Sequence, residues 1–207
     1  YEKFSSLHQS PITWAHSPLD DGILAEPYET VWLDYATSMQ GLEYLAINPM
    51  GKVPALTHGK AVVTETAAIC AYLASQFPEK QLMPANSEGQ AAFFAGYFFA
   101  AGPLEQAVTA KSQNWSVAPE QEGFLGFGNY SKTIRALANA LQLSPYIAGE
   151  HFSAADVYVG SHLSWGILFN SIEAQPVFED YVARLTLRPA FIRANQINNQ
   201  YMQTQKV

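Results

Sequence analysis

Two short stretches hold residues whose types and order could do chemistry: Asn48-Pro49-Met50-Gly51-Lys52-Val53-Pro54-Ala55-Leu56 and, just after it, Thr64-Glu65-Thr66-Ala67-Ala68-Ile69. Pro54 lacks the N–H that a sheet ladder needs, so at a strand start it belongs at an edge or in a cis bond. Such an edge leaves the backbone of Val53 open to an extended peptide. A helix opening at Thr64 or Glu65 aims unpaired N–H groups at whatever lies beyond it, which suits a carboxylate. A short peptide with a terminal carboxylate would satisfy both features. So would an ordinary strand start and an ordinary helix cap with no ligand at all, and these residues alone leave both open.

The other reactive side chains form no constellation. Cys70 sits in the apolar stripe Ile69, Cys70, Leu73 and Phe77, where a thiol is a small buried hydrophobe. His8, His16, His58, His151 and His162 have no metal-ligand spacing, so no metal is expected. No Ser-His-Asp set, phosphate loop or dinucleotide fingerprint is present.

The elements that must position these residues follow from periodicity and punctuation. A first strand fits Lys3–Leu7 and a turn fits Ser10–Trp14. Ser17-Pro18-Leu19-Asp20 carries the signature of a helix start. Tyr28–Asp34 reads as a strand with Val31 and Leu33 on one face and Trp32 on the other, and Ser38–Ile47 as a short helix. Val53–Thr57 and Lys60–Val63 make a hairpin turning at His58-Gly59. A helix then ends near Phe77-Pro78. The order β-α-β-α-β-β-α is what a thioredoxin-like domain requires. Pro78–Ser87, with Pro78, Pro84 and Asn86, is a linker. Everything beyond it is helical: Glu88–Val108 bent at Gly102-Pro103, Glu120–Leu143, a helix opened by Phe152-Ser153-Ala154-Ala155-Asp156 and running to Asn170, Val177–Leu187, and Pro189–Gln203. Ser153 and Asp156 form a capping box with Phe152 and Val157 as its hydrophobic staple. The boundaries are therefore 1–77, a linker 78–87, and 88–207.

Composition narrows the function class. At 207 residues and 48% hydrophobic, the chain can bury a sizeable core. A net charge of −7 without any Lys/Arg cluster argues against nucleic acid and anionic membrane as partners. The single cysteine rules out a disulfide scaffold. No apolar run approaches the ~20 residues of a membrane span. A cytoplasmic location is the simplest expectation.

Taken together, N-P-x-G-K-V-P-A-L followed by T-E-T-A-A-I-x-x-Y-L-A closely resembles the glutathione-binding half of the glutathione S-transferase family, in the family's order and spacing. The helical half and its capping box extend the likeness over nearly the whole chain. The resemblance implies a thioredoxin-like α/β domain followed by an all-α bundle, glutathione as co-substrate, and a homodimer. The implied reaction is conjugation of the glutathione thiolate to small hydrophobic electrophiles, a detoxification chemistry. The same fold also serves non-catalytic glutathione- or protein-binding relatives and glutathione-dependent isomerases or dehalogenases.

Residue by residue, the resemblance implies that Val53 pairs its main chain with the cysteinyl unit, beside Pro54. Glu65 receives the γ-glutamyl ammonium, Thr66 holds the γ-glutamyl carboxylate, and Lys52 approaches the glycyl carboxylate. Ser10, in a Ser-Pro-Ile-Thr run similar to the serine-type branches, is the expected donor to the thiolate, with Thr13 second. The chain departs from the family here, because Pro18 and Gly22 occupy the place of a long first helix. Among the aromatic residues of the helical half, Tyr97, Trp115 and Trp165 are the candidates for lining a second-substrate pocket.

Overall fold

The computed structural model describes residues 4–9 and 28–204. Ser10, Thr13 and the helix expected from Ser17 lie outside the described residues. The chain divides into two compact units, Tyr1–Lys80 together with Leu187–Val207, and Gln81–Thr186. The last helix, which the sequence assigns to the helical region, is thus grouped with the sheet.

In the first unit β1 (Phe4–Gln9), β2 (Tyr28–Leu33), β3 (Ala55–His58) and β4 (Ala61–Thr64) form one sheet in the order β2-β1-β3-β4. β1 pairs parallel with β2 and antiparallel with β3, and β3 pairs antiparallel with β4. Alternation decides the faces. Val31 and Leu33 of β2 and Ala55 of β3 pack on Met39 and Tyr44, with Ile47 and Val53 at the margin. Trp32 takes the opposite face and stacks on Tyr201, ring centroids 3.7 Å apart and planes at 8°. The expected helix over 38–47 is a 3-10 turn, Ser38–Gln40, followed by α1 (Leu42–Leu45), the break coinciding with Gly41. α2 (Thr66–Gln76) buries Ile69, Cys70, Leu73 and Ala74, and the Cys70 thiol is fully enclosed. The last helix, α8 (Pro189–Thr204), buries Ala190 and Ala194.

The second unit contains α3 (Ser87–Phe99), α4 (Glu105–Ser112), α5 (Tyr130–Leu143), α6 (Ala154–Leu168) and α7 (Pro176–Thr186). The bend expected at Gly102-Pro103 is a π-helical turn over Ala100–Leu104 that joins α3 to α4, which accommodates the N–H that Pro103 lacks. α5 begins at Tyr130 rather than Glu120. Asn129 caps it by accepting from Lys132 N at 2.8 Å, and Glu122 is held by Asn129 Nδ2 at 2.6 Å and Lys132 Nζ at 2.5 Å. These bonds, with Gly128 at φ +62°, keep the preceding glycine-rich segment out of the helix.

The capping box of α6 is present and carries more than a cap. Asp156 is 0% exposed and accepts from Ser153 N and Ser153 Oγ, each at 2.8 Å, from Ile147 N at 2.7 Å, and from the Tyr181 hydroxyl at 2.8 Å. Burial pushes its carboxyl upward while these donors pull it down. α6 meets α7 closely at Gly160, where an added Cβ would stand 2.2 Å from Leu185 Cδ1. Among the described residues no helix is long and apolar enough to cross a membrane.

Candidate functional site

The β3–β4 hairpin brings the two motifs to one end of the sheet. Its register pairs Ala55 with Thr64, so the residues one step outward on either strand are Pro54 and Glu65, and one further are Val53 and Thr66. Among the described residues the Val53–Pro54 peptide is the cis bond, in line with the expectation for a proline at this position. Pro54 is buried and Val53 half-buried. The hairpin's far end is tied to α2, where His58 Nδ1 and the Tyr72 hydroxyl lie 2.8 Å apart.

The loop leading into Val53 is held from inside. Asn48 Nδ2 donates to Lys52 O at 2.6 Å, and the Tyr44 hydroxyl donates to the same carbonyl. Burial pushes the Tyr44 phenol up, against a smaller opposing effect of Asn48, so it remains a donor through neutral pH. Gly51 turns this loop at φ +58°, a conformation that strains any residue bearing a side chain. The Lys52 side chain itself is exposed.

On the other side Glu65 is the N-cap of α2, with φ 70° and ψ 124°. Non-glycine residues rarely occupy that region, and where a fold holds one there the strain commonly accompanies function. Glu65 O accepts from Ile69 N at 2.9 Å, which commits its carbonyl to the helix. Its exposed carboxylate stands at the rim, while the N–H groups of Thr66, Ala67 and Ala68 belong to the first turn and have no partner within the helix. A half-buried hydroxyl, a carboxylate and a positive helix end therefore share one end of the hairpin with the cis peptide. The arrangement can receive a zwitterion beside an extended main chain.

Residues 21–81 match the family model for the glutathione S-transferase N-terminal domain. The glutathione S-transferase GstA of Escherichia coli O157:H7 is 28% identical over 152 residues, 72% of this chain and 75% of that one. The chain resembles the glutathione S-transferase family. The fold of a glutathione transferase from Methylococcus capsulatus superposes with a TM-score of 0.76 over 95% of this chain and 99% of the other, at 23% identity. A sphingomonad glutathione S-transferase, solved with glutathione, is 25% identical with a TM-score of 0.74, covering 94% and 98% of the two chains. A thioredoxin-like sheet unit followed by helices is the fold that this chain shares with these structures.

Of the residues that the family resemblance singles out, Val53, Pro54, Glu65 and Thr66 gather at the hairpin end, with Lys52 directly before them. Tyr97 is a core side chain of the helical unit, 3% exposed, edge-on to Phe93 at 4.7 Å and stacked on Tyr158 at 6.0 Å. Trp115 is 64% exposed in the segment after α4, and Trp165 stacks on Phe169 at 5.2 Å along α6. Among the described residues no group of His, Cys, Asp and Glu could hold a metal ion. Sequence reasoning gave no role to Tyr44 and Asn48. Their only signal was an i, i+4 polar pair placed just before the glycine turn.

Proposed function

We propose that this chain binds glutathione at the hairpin end and transfers its thiolate to small, hydrophobic electrophiles. The observation that carries the reading is the pairing of the Val53–Pro54 edge with a strained glutamate cap on α2. Solved relatives with glutathione bound support it. In this reading Val53 donates its N–H to the cysteinyl carbonyl, Thr66 holds the γ-glutamyl carboxylate through its hydroxyl and N–H, and Glu65 meets the ammonium. Lys52 approaches the glycyl carboxylate. A free alkyl thiol has a pKa near ~8.5, so the enzyme must supply a donor where charge develops, and Ser10 or Thr13 fills that role. The electrophile is taken by the helical region 88–207, with Trp115 and Trp165 as its aromatic contacts, and the working form is a cytoplasmic homodimer.

Calorimetric titration of glutathione, with a generic aryl halide as the turnover substrate, tests the reading. Thr66→Ala should weaken glutathione by about 1.5–3 kcal/mol, the scale for a hydrogen bond to a charged group. Ser10→Ala should leave affinity intact and lower turnover by ~10²-fold, the scale for one preorganised donor. A folded Thr66→Ala variant binding as tightly as the parent would sink the assignment.

A further inference from the structure

We propose that Tyr44 and Asn48 are positioning residues for the peptide ligand: by holding the Lys52 carbonyl they aim the main-chain N–H of Val53 into the site. The inference rests on the glutathione reading above.

Both side chains are 3% exposed and both converge on one carbonyl oxygen, Lys52 O. Asn48 is itself locked on every polar atom. Its Oδ1 accepts from Met50 N at 3.1 Å, its N–H donates to Tyr44 O at 2.8 Å, and its carbonyl accepts from Gly51 N at 2.9 Å. The turn between them packs closely on its neighbours, since a Cβ added at Gly51 would stand 3.3 Å from Gln40 and Leu45. The peptide unit joining Lys52 to Val53 is trans, the cis bond among the described residues being the next one along. In a planar trans unit the C=O and the N–H point in opposite directions. Fixing Lys52 O toward the buried tyrosine and asparagine therefore fixes Val53 N–H on the opposite side, as a preset donor. Neither side chain has to touch the ligand. Their effect reaches it through one rigid peptide plane, whose orientation would otherwise be settled only on binding.

The experiment compares two ligands. One is glutathione, and the other is its analogue with the Cys–Gly amide replaced by a trans alkene, which keeps the shape but lacks the cysteinyl carbonyl. Each is titrated calorimetrically into the parent, Tyr44→Phe and Asn48→Ala, with urea midpoints recorded alongside. The parent should prefer glutathione by about tenfold, the worth of one hydrogen bond of ~1.4 kcal/mol. In either variant that preference should fall to about threefold or less, since the donor is no longer preset. A parent that does not bind glutathione overturns the glutathione reading, whereas one that binds both ligands equally overturns Val53 pairing and the positioning role with it. A parent that distinguishes them, with folded variants that do so by the same factor, overturns the positioning role alone. Should Asn48→Ala not fold, Tyr44→Phe removes a single oxygen and carries the test.

Discussion

Replacing Glu65 by glycine should make the protein more stable and a worse binder of glutathione. Glu65 holds φ 70° and ψ 124°, a region that only glycine enters freely. Residues held in such conformations cost about 1–3 kcal/mol each. Glycine relieves that strain but loses about 0.5–1 kcal/mol more chain entropy on folding, leaving a net gain of about 0.5–2 kcal/mol. The carboxylate is exposed, so its removal breaks no buried network. Glutathione affinity should fall by about 10–100-fold, corresponding to ~1.5–3 kcal/mol for a charge-assisted bond to the ligand's ammonium. Glu65→Ala is the control: it removes the same carboxylate while keeping a Cβ, so it should bind as poorly as the glycine variant and gain no stability. Urea unfolding midpoints and calorimetric titration of all three proteins read both effects. A Glu65→Gly variant that is less stable than the parent, or that binds glutathione unchanged, refutes the reasoning.

Two further outcomes concern the helical unit. His162 is buried, edge-on to Tyr158 at 4.7 Å, and burial depresses its pKa from 6.5 to about 4. The folded state therefore refuses a proton that the unfolded chain accepts, so stability is full above pH 6.5 and is lost as pH falls toward 4. Between pH 7 and 5 this one group should cost about 2 kcal/mol, and His162→Phe should flatten that part of the urea-midpoint profile. The facing Glu105 carboxylate, 3.6 Å away and 59% exposed, is common to both proteins, and parallel profiles would count against the burial argument. Gly160→Ala would drive a Cβ into Leu185 and should cost about 1–3 kcal/mol, whereas added to Leu185→Ala it should cost far less. Urea unfolding of the four proteins of that cycle measures the coupling, and simple additivity would contradict the close approach.

Much of the fold was legible because its signals are local. Alternation in Tyr28–Leu33 set the faces of β2, Gly59 marked the hairpin, and Ser153 with Asp156 marked the start of α6. The expected α5 start at Glu120 failed because the cap at Asn129 depends on Glu122 being claimed by Lys132 and Asn129, a tertiary bond that no helical period reveals. That Val53, Glu65 and Thr66 meet at one end of the hairpin was readable because a proline at a strand start and a helix start announce backbone geometry. Tyr44 and Asn48 were not, because their work is to hold a carbonyl four or more residues away, which composition does not record.

The grouping of Leu187–Val207 with the sheet bears on how the chain comes to be folded. Trp32 meets Tyr201 only after the intervening helical unit has been made, whereas Gln81–Thr186 is continuous in sequence. Emerging from the ribosome, the segment Gln81–Thr186 is complete while the sheet unit still waits for its final helix. Closing so long an intervening segment as a free coil carries an entropy cost that grows with its length. A span already folded when Leu187–Val207 emerges would carry less of that cost than a free coil.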